Sequence, residues 1–132
     1  MINRRRLFTV AAAVGGTFLI GSLAFAADKK PFDQAAFDAA QAAGKPILVE
    51  VTAPWCPTCK AQAPILSQLR SEPRFKDLIS FNVDFDSRKD LLKTFGVRMQ
   101  STLIAFKGRQ EVGRSTGDTN PASIQALLAK AI

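Results

Sequence analysis

Ile47-Leu48-Val49-Glu50-Val51-Thr52-Ala53 limits what this chain can become more than any other segment: a β-branched, almost unbroken apolar run bounded by Lys45-Pro46 and Pro54. Such a run reads as a strand buried on both faces, at the centre of a sheet with helices on either side. Asp28 to Pro31 is a short polar lead-in, and the flanking segments supply the helices. Asp33 to Ala43 is alanine-rich, with Phe32, Ala36, Phe37 and Ala40 near helical spacing, and ends at Gly44. Pro57 to Ser71 places Ala61, Ile65, Leu66 and Leu69 on one stripe, with Pro57 tolerated in the first turn and Pro64 expected to kink the helix. Ile79 to Phe85 alternates as a second strand, and Asp86 or Ser87 should cap a helix through Leu91, Leu92 and Phe95 that Gly96 closes. Thr102–Phe106 and Glu111–Thr116 read as a hairpin around Lys107-Gly108-Arg109, and Pro121 to Ile132 as a last helix. This order predicts an α/β fold, βαβ units followed by an antiparallel hairpin, and 132 residues suffice for one packed domain.

The first residues read as an address. Arg4, Arg5 and Arg6 precede an apolar stretch from Leu7 to Leu23, and Ala24-Phe25-Ala26 offers small residues at a cleavage site, so residues 1–26 are expected to be an export signal and 27–132 the domain. Asn3-Arg4-Arg5-Arg6-Leu7-Phe8 also resembles a twin-arginine signal. The stretch is a little shorter than the ~20 apolar residues of a spanning helix, the alternative being an uncleaved membrane anchor. Either way the domain is expected outside the cytoplasm, in the periplasm. The three arginines account for part of the +7 net charge, leaving 15 basic against 11 acidic residues, or +4, once residues 1–26 are removed. The remaining cations are scattered and not interleaved with aromatics, so no nucleic-acid partner is expected.

The chain has no histidine, which excludes His general bases, Ser–His and Cys–His triads, and His metal ligands together. Its two cysteines, Cys56 and Cys59, sit where the buried strand hands over to a helix. A cysteine at a helix N-terminus faces unpaired N–H groups and the positive end of the helix dipole, which favour thiolate. Cys56 is thus the expected nucleophile, and Cys59, one turn in and expected to be the more buried, the resolving thiol. Two cysteines without histidine cannot close a zinc site within one chain, so no resident metal or cofactor is expected, the alternatives being a dimer that shares two pairs or a soft ion such as Cu(I) or an iron–sulfur group on the thiolates. Glu50 interrupts the apolar run, so its pKa should be raised by burial, and it could accept the proton of Cys59. The bland alternative puts Glu50 on an edge strand or pairs it with a lysine.

The segment Ile47 to Lys60, with its buried acid and Trp55-Cys56-Pro57-Thr58-Cys59-Lys60 motif, resembles the thioredoxin family. Pro64, Val83-Asp84-Phe85-Asp86, Phe95-Gly96-Val97-Arg98, Phe106-Lys107-Gly108 and Gly117 are similar to further landmarks in order, over residues 32–132. The resemblance implies a thioredoxin-like fold, a central mixed sheet flanked by helices, and reversible dithiol–disulfide exchange with protein partners. Carried over, Cys56 attacks, Cys59 resolves, Glu50 is the buried acid, and Trp55, Pro57, Gln100 and Ser101 form the docking surface.

Two residues depart from the pattern. Ser101 stands where the family has a cis-proline facing the cysteines. A retained bend is expected, with the bond before Ser101 either held cis under strain or trans in an altered loop, and with the hydroxyl near Cys56. Asn82 replaces a lysine that many members carry, which should leave Glu50 short of a cation. The combined expectation is an exported, monomeric protein-disulfide oxidoreductase. Pro57-Thr58, in place of an oxidant's histidine, leans it towards a reductase supplied by a membrane-embedded electron donor. The alternative is a soft-metal carrier or assembly module built on the same cysteines.

Overall fold

The computed structural model describes residues 29–132 as β1 (Lys30–Pro31), α1 (Gln34–Ala42), β2 (Pro46–Thr52), α2 (Pro57–Ser71), β3 (Ile79–Asp84), α3 (Lys89–Phe95), β4 (Thr102–Lys107), β5 (Gln110–Thr116) and α4 (Pro121–Ala129). The expected export signal lies outside the described residues. One sheet is formed in the order β1-β3-β2-β4-β5, with β2 at its centre. β2 runs parallel to β3, Glu50 opposite Asn82, and antiparallel to β4, Glu50 opposite Leu103. β4 and β5 make the predicted hairpin, with an irregularity at Ala105/Phe106.

The lead-in read as polar coil contributes β1, whose two residues pair parallel with Phe81 and Asn82. So short a strand carries no periodic signal, and Pro31 is tolerated because the strand is at the edge. α3 also differs from expectation. Its N-cap is Arg88, while the Asp84 carboxylate accepts the N–H groups of Asp86 (2.8 Å) and Ser87 (3.0 Å). Those bonds fold the β3–α3 turn and hold the Asp84 carboxyl below its ordinary range. Gly96 closes α3 in the left-handed conformation, as read from the sequence.

Alternation along the strands divides the core into two layers. Ile47, Val49 and Val51 face α1 and α3 with Phe32, Phe37, Phe81, Ile104 and Phe106. Leu48 faces α2 and α4 with Leu66, Leu69, Leu103, Ile124 and Leu128. α4 lies so close to β5 that a Cβ on Gly113 would come within 2.9 Å of Leu127 Cδ1, and the leucine side chain would have to shift to make room for it. Among the described residues, no helix is long and apolar enough to cross a membrane.

Candidate active site

The chain leaves β2 at Thr52, turns through Pro54-Trp55 and enters α2 at Pro57, with Cys56 as the N-cap. Pro57 occupies the first helical position, where no N–H is needed. The Cys59 N–H donates to Cys56 Sγ at 3.1 Å, so the sulfur caps the helix that carries its partner. Cys56 and Cys59 form a disulfide across a Cα–Cα distance of 5.3 Å. α2 continues through Pro64, whose ring leaves the Lys60 carbonyl without an intrahelical donor.

The expected order of burial is reversed. Cys56 is sealed at 0% exposure and Cys59 retains 8%. As N-cap, Cys56 turns its sulfur inward over the first turn, where it packs with Ala53 and Cys59. Cys59 instead borders a cavity of about 350 Å³ that Lys29, Thr52, Lys60, Asn82 and Asp84 also line. Its Sγ lies 4.0 Å from the Val51 carbonyl oxygen.

Trp55 is 54% exposed beside the pair, its indole N–H donating to Asp86 Oδ2 at 2.9 Å and its ring set edge-on to Phe85. Met99 is equally exposed on the loop 99–101. That loop keeps a bend at Ser101 with no cis bond: the peptide is trans and Ser101 takes φ +57°. Serine adds an N–H that a proline lacks, and it donates to Val51 O at 2.7 Å. The hydroxyl expected near Cys56 donates instead to the Gln100 carbonyl at 2.6 Å.

Glu50 is buried as expected, on the α2 side of the sheet, and its side chain pairs with Arg70 Nη2. Arg70 Nε donates to Ser80 Oγ at 3.0 Å. Burial pushes the Glu50 carboxyl above its ordinary range, and the Arg70 guanidinium draws it back without cancelling the shift. The cation judged missing at Asn82 is therefore supplied by α2, while Asn82 accepts from Thr52 Oγ1 at 2.6 Å. Glu50 is not among the residues that line the cavity onto which Cys59 opens.

Two buried side chains at the site escaped the sequence reading, Arg70 and Gln62. Gln62 donates from Nε2 to the carbonyls of Ser101 (3.2 Å) and Asp118 (2.9 Å). The signal for Gln62 was the stripe itself: stepping back from Leu69 and Leu66 leads to Gln62 and Cys59, whereas Ala61, assigned to that stripe, is exposed.

A dithiol–disulfide pair capping the helix that follows the central strand of a mixed α/β sheet defines a thiol–disulfide exchange protein. The chain belongs to the thioredoxin family, whose model, described as Thioredoxin, matches residues 28–130. It is a protein-disulfide oxidoreductase with Cys56 and Cys59 as its redox-active cysteines. Among similar proteins, a thioredoxin of Mycobacterium bovis is 35% identical over 88 residues, 67% of this chain and 75% of that protein. Thioredoxin H4 of Arabidopsis thaliana is 33% identical over 93 residues, 70% of this chain and 76% of its own. The crystal structure of Trxlp from Edwardsiella tarda is 46% identical, covers 76% of this chain and 98% of that one, and superposes with a TM-score of 0.74.

Proposed function

We propose that this protein is an exported, periplasmic protein-disulfide reductase, acting as a monomer and recharged by a membrane-embedded electron donor. The observation that carries the exchange chemistry is the Cys56–Cys59 pair at the N-terminus of α2, flanked by exposed Trp55 and the loop 99–101. The arginine-led apolar leader supports export, and Pro57-Thr58 between the cysteines supports the reducing direction.

In the dithiol form, the Cys56 thiolate attacks one sulfur of a substrate disulfide. A mixed disulfide forms and the first substrate thiolate leaves. Cys59, having lost its proton, then attacks Cys56 Sγ, releasing the second substrate thiolate. The substrate gains two electrons and the enzyme is left with the Cys56–Cys59 disulfide. Helix-terminal N–H groups stabilise the Cys56 thiolate, and cleaving the disulfide frees the sulfur that is sealed in the oxidised form. Trp55, Pro57 and Gln100 form the face against which the substrate peptide lies, and Ser101, buried at 4% exposure, supports that face from within. Glu50 acts as the buried charge that sets how readily Cys59 gives up its proton, with its own hydrogen bonding directed to Arg70.

The deciding measurement is the reduction potential of the pair, paired with N-terminal sequencing of the protein recovered from the periplasm. A value near about −270 mV supports the reductase and one near about −120 mV an oxidase. A chain that stays in the cytoplasm with residues 1–26 attached overturns the export reading.

A further inference from the structure

Ser101 sits with φ +57°, in the left-handed region that side chains other than glycine rarely adopt and that persists only where neighbours hold it. Three hydrogen bonds do so. The Ser101 N–H donates to Val51 O in β2 (2.7 Å), and the Ser101 carbonyl accepts from Gly117 N (3.0 Å) and from Gln62 Nε2 (3.2 Å). The second donor of the same amide nitrogen reaches the Asp118 carbonyl at 2.9 Å. Only the nitrogen end of a glutamine can satisfy two carbonyls at once, so these partners fix the orientation of the amide. Gln62 is 2% exposed and stands on α2 three residues after Cys59.

From this arrangement we infer that Gln62 is a positioning residue: it clamps the loop 99–101 and the Gly117-Asp118 turn to the helix carrying the redox cysteines. The hold that a proline ring builds into the loop covalently is here distributed over hydrogen bonds, one of them from α2 itself. The inference deepens the proposed function, resting on the reading of the loop 99–101 as the face that receives substrate.

Gln62→Leu in the full chain, oxidised and reduced, is the test. Met99 on the loop is a direct reporter, because the only other methionine is Met1. Its ¹³C-methyl line should broaden or shift in the variant. The KM for insulin disulfides should rise about fivefold, the factor that one net hydrogen bond is worth, while kcat and the reduction potential stay at parent values. A folded variant whose Met99 line and KM both match the parent overturns the inference, as does one in which the potential moves and KM does not.

Should Gln62→Leu fail to fold, Gln62→Glu decides. Its carboxylate sets an acceptor against two carbonyls, and protonation restores one donor. The KM of Gln62→Glu relative to the parent should therefore fall as pH drops, and a ratio that ignores pH overturns the clamp. If the parent reduces no insulin disulfide, the proposed function fails, while the Met99 line still tests the clamp.

Discussion

On the α1/α3 face of the sheet the core is aromatic. Phe37 lies within 5.2–5.8 Å, ring centre to ring centre, of Phe32, Phe81, Phe95 and Phe106, and apart from Thr102 at the rim the buried side chains there need no polar partner. The α2/α4 face is mostly aliphatic, with Phe75 as its buried aromatic, and encloses Glu50, Gln62, Arg70 and Ser80, each hydrogen-bonded, together with the Ser115 hydroxyl, which has no partner among the described residues. The first face needs only to exclude water, and shape suffices. The second carries the redox helix, and every polar group it buries must find a partner or destabilise the fold. The difference teaches that stability and redox chemistry are assigned to opposite sides of one central strand.

Phe37→Ala should test that division with the largest effect, a loss of about 3–5 kcal/mol in urea denaturation, from the cavity left among four rings. The reduction potential of Cys56–Cys59 should not change, and a shifted potential would break the separation of the two faces. Arg70→Leu should cost about 3 kcal/mol, because it leaves Glu50 buried without its counter-charge. Replacing both partners by leucine should recover most of that loss, since an apolar pair removes the stranded charge along with the bridge. A double variant as unstable as the single one would mean that the layer depends on the ion pair itself.

The smallest expected effect is in the pH dependence of stability. Burial holds the folded-state pKa of Glu50 above its ordinary value of 4.5. Between the two values the folded protein holds a proton that the unfolded chain has released. The contribution of Glu50 is therefore greatest on the acid side and declines as pH rises through the folded value. Glu50→Gln should flatten that slope in denaturation curves taken across the acid range. A parent whose Glu50-dependent slope runs the other way would show that Arg70 outweighs burial.

Much of the second face was legible in outline. α2 was read with its observed bounds because both ends are written locally: Cys56-Pro57 opens the helix and Glu72-Pro73 ends it. Glu50 was legible as buried because an acid inside a β-branched run has nowhere else to go. Its partner was not, since Arg70 lies twenty residues away and nothing local marks an arginine that turns inward. A stripe anchored on Ala61 in place of Gln62 missed the clamp, because one residue on a helix is a rotation of about 100°. The hidden Cys56 escaped for a related reason, that the N-cap bond to Cys59 N turns the sulfur inward.

By itself, the sequence determined the α/β order, the central strand and the placement of two cysteines at a helix N-terminus. These follow from side-chain periodicity, proline and glycine positions, and chain-local spacing. Ser101 stood out as a departure, but tertiary structure alone decided that its bond is trans and its φ positive, because the groups that hold it belong to Val51, Gln62 and Gly117. The same is true of the pairing of Glu50 with Arg70. Buried polar groups are satisfied by whichever partner the fold brings within about 3 Å, and separation along the chain says little about which one that is.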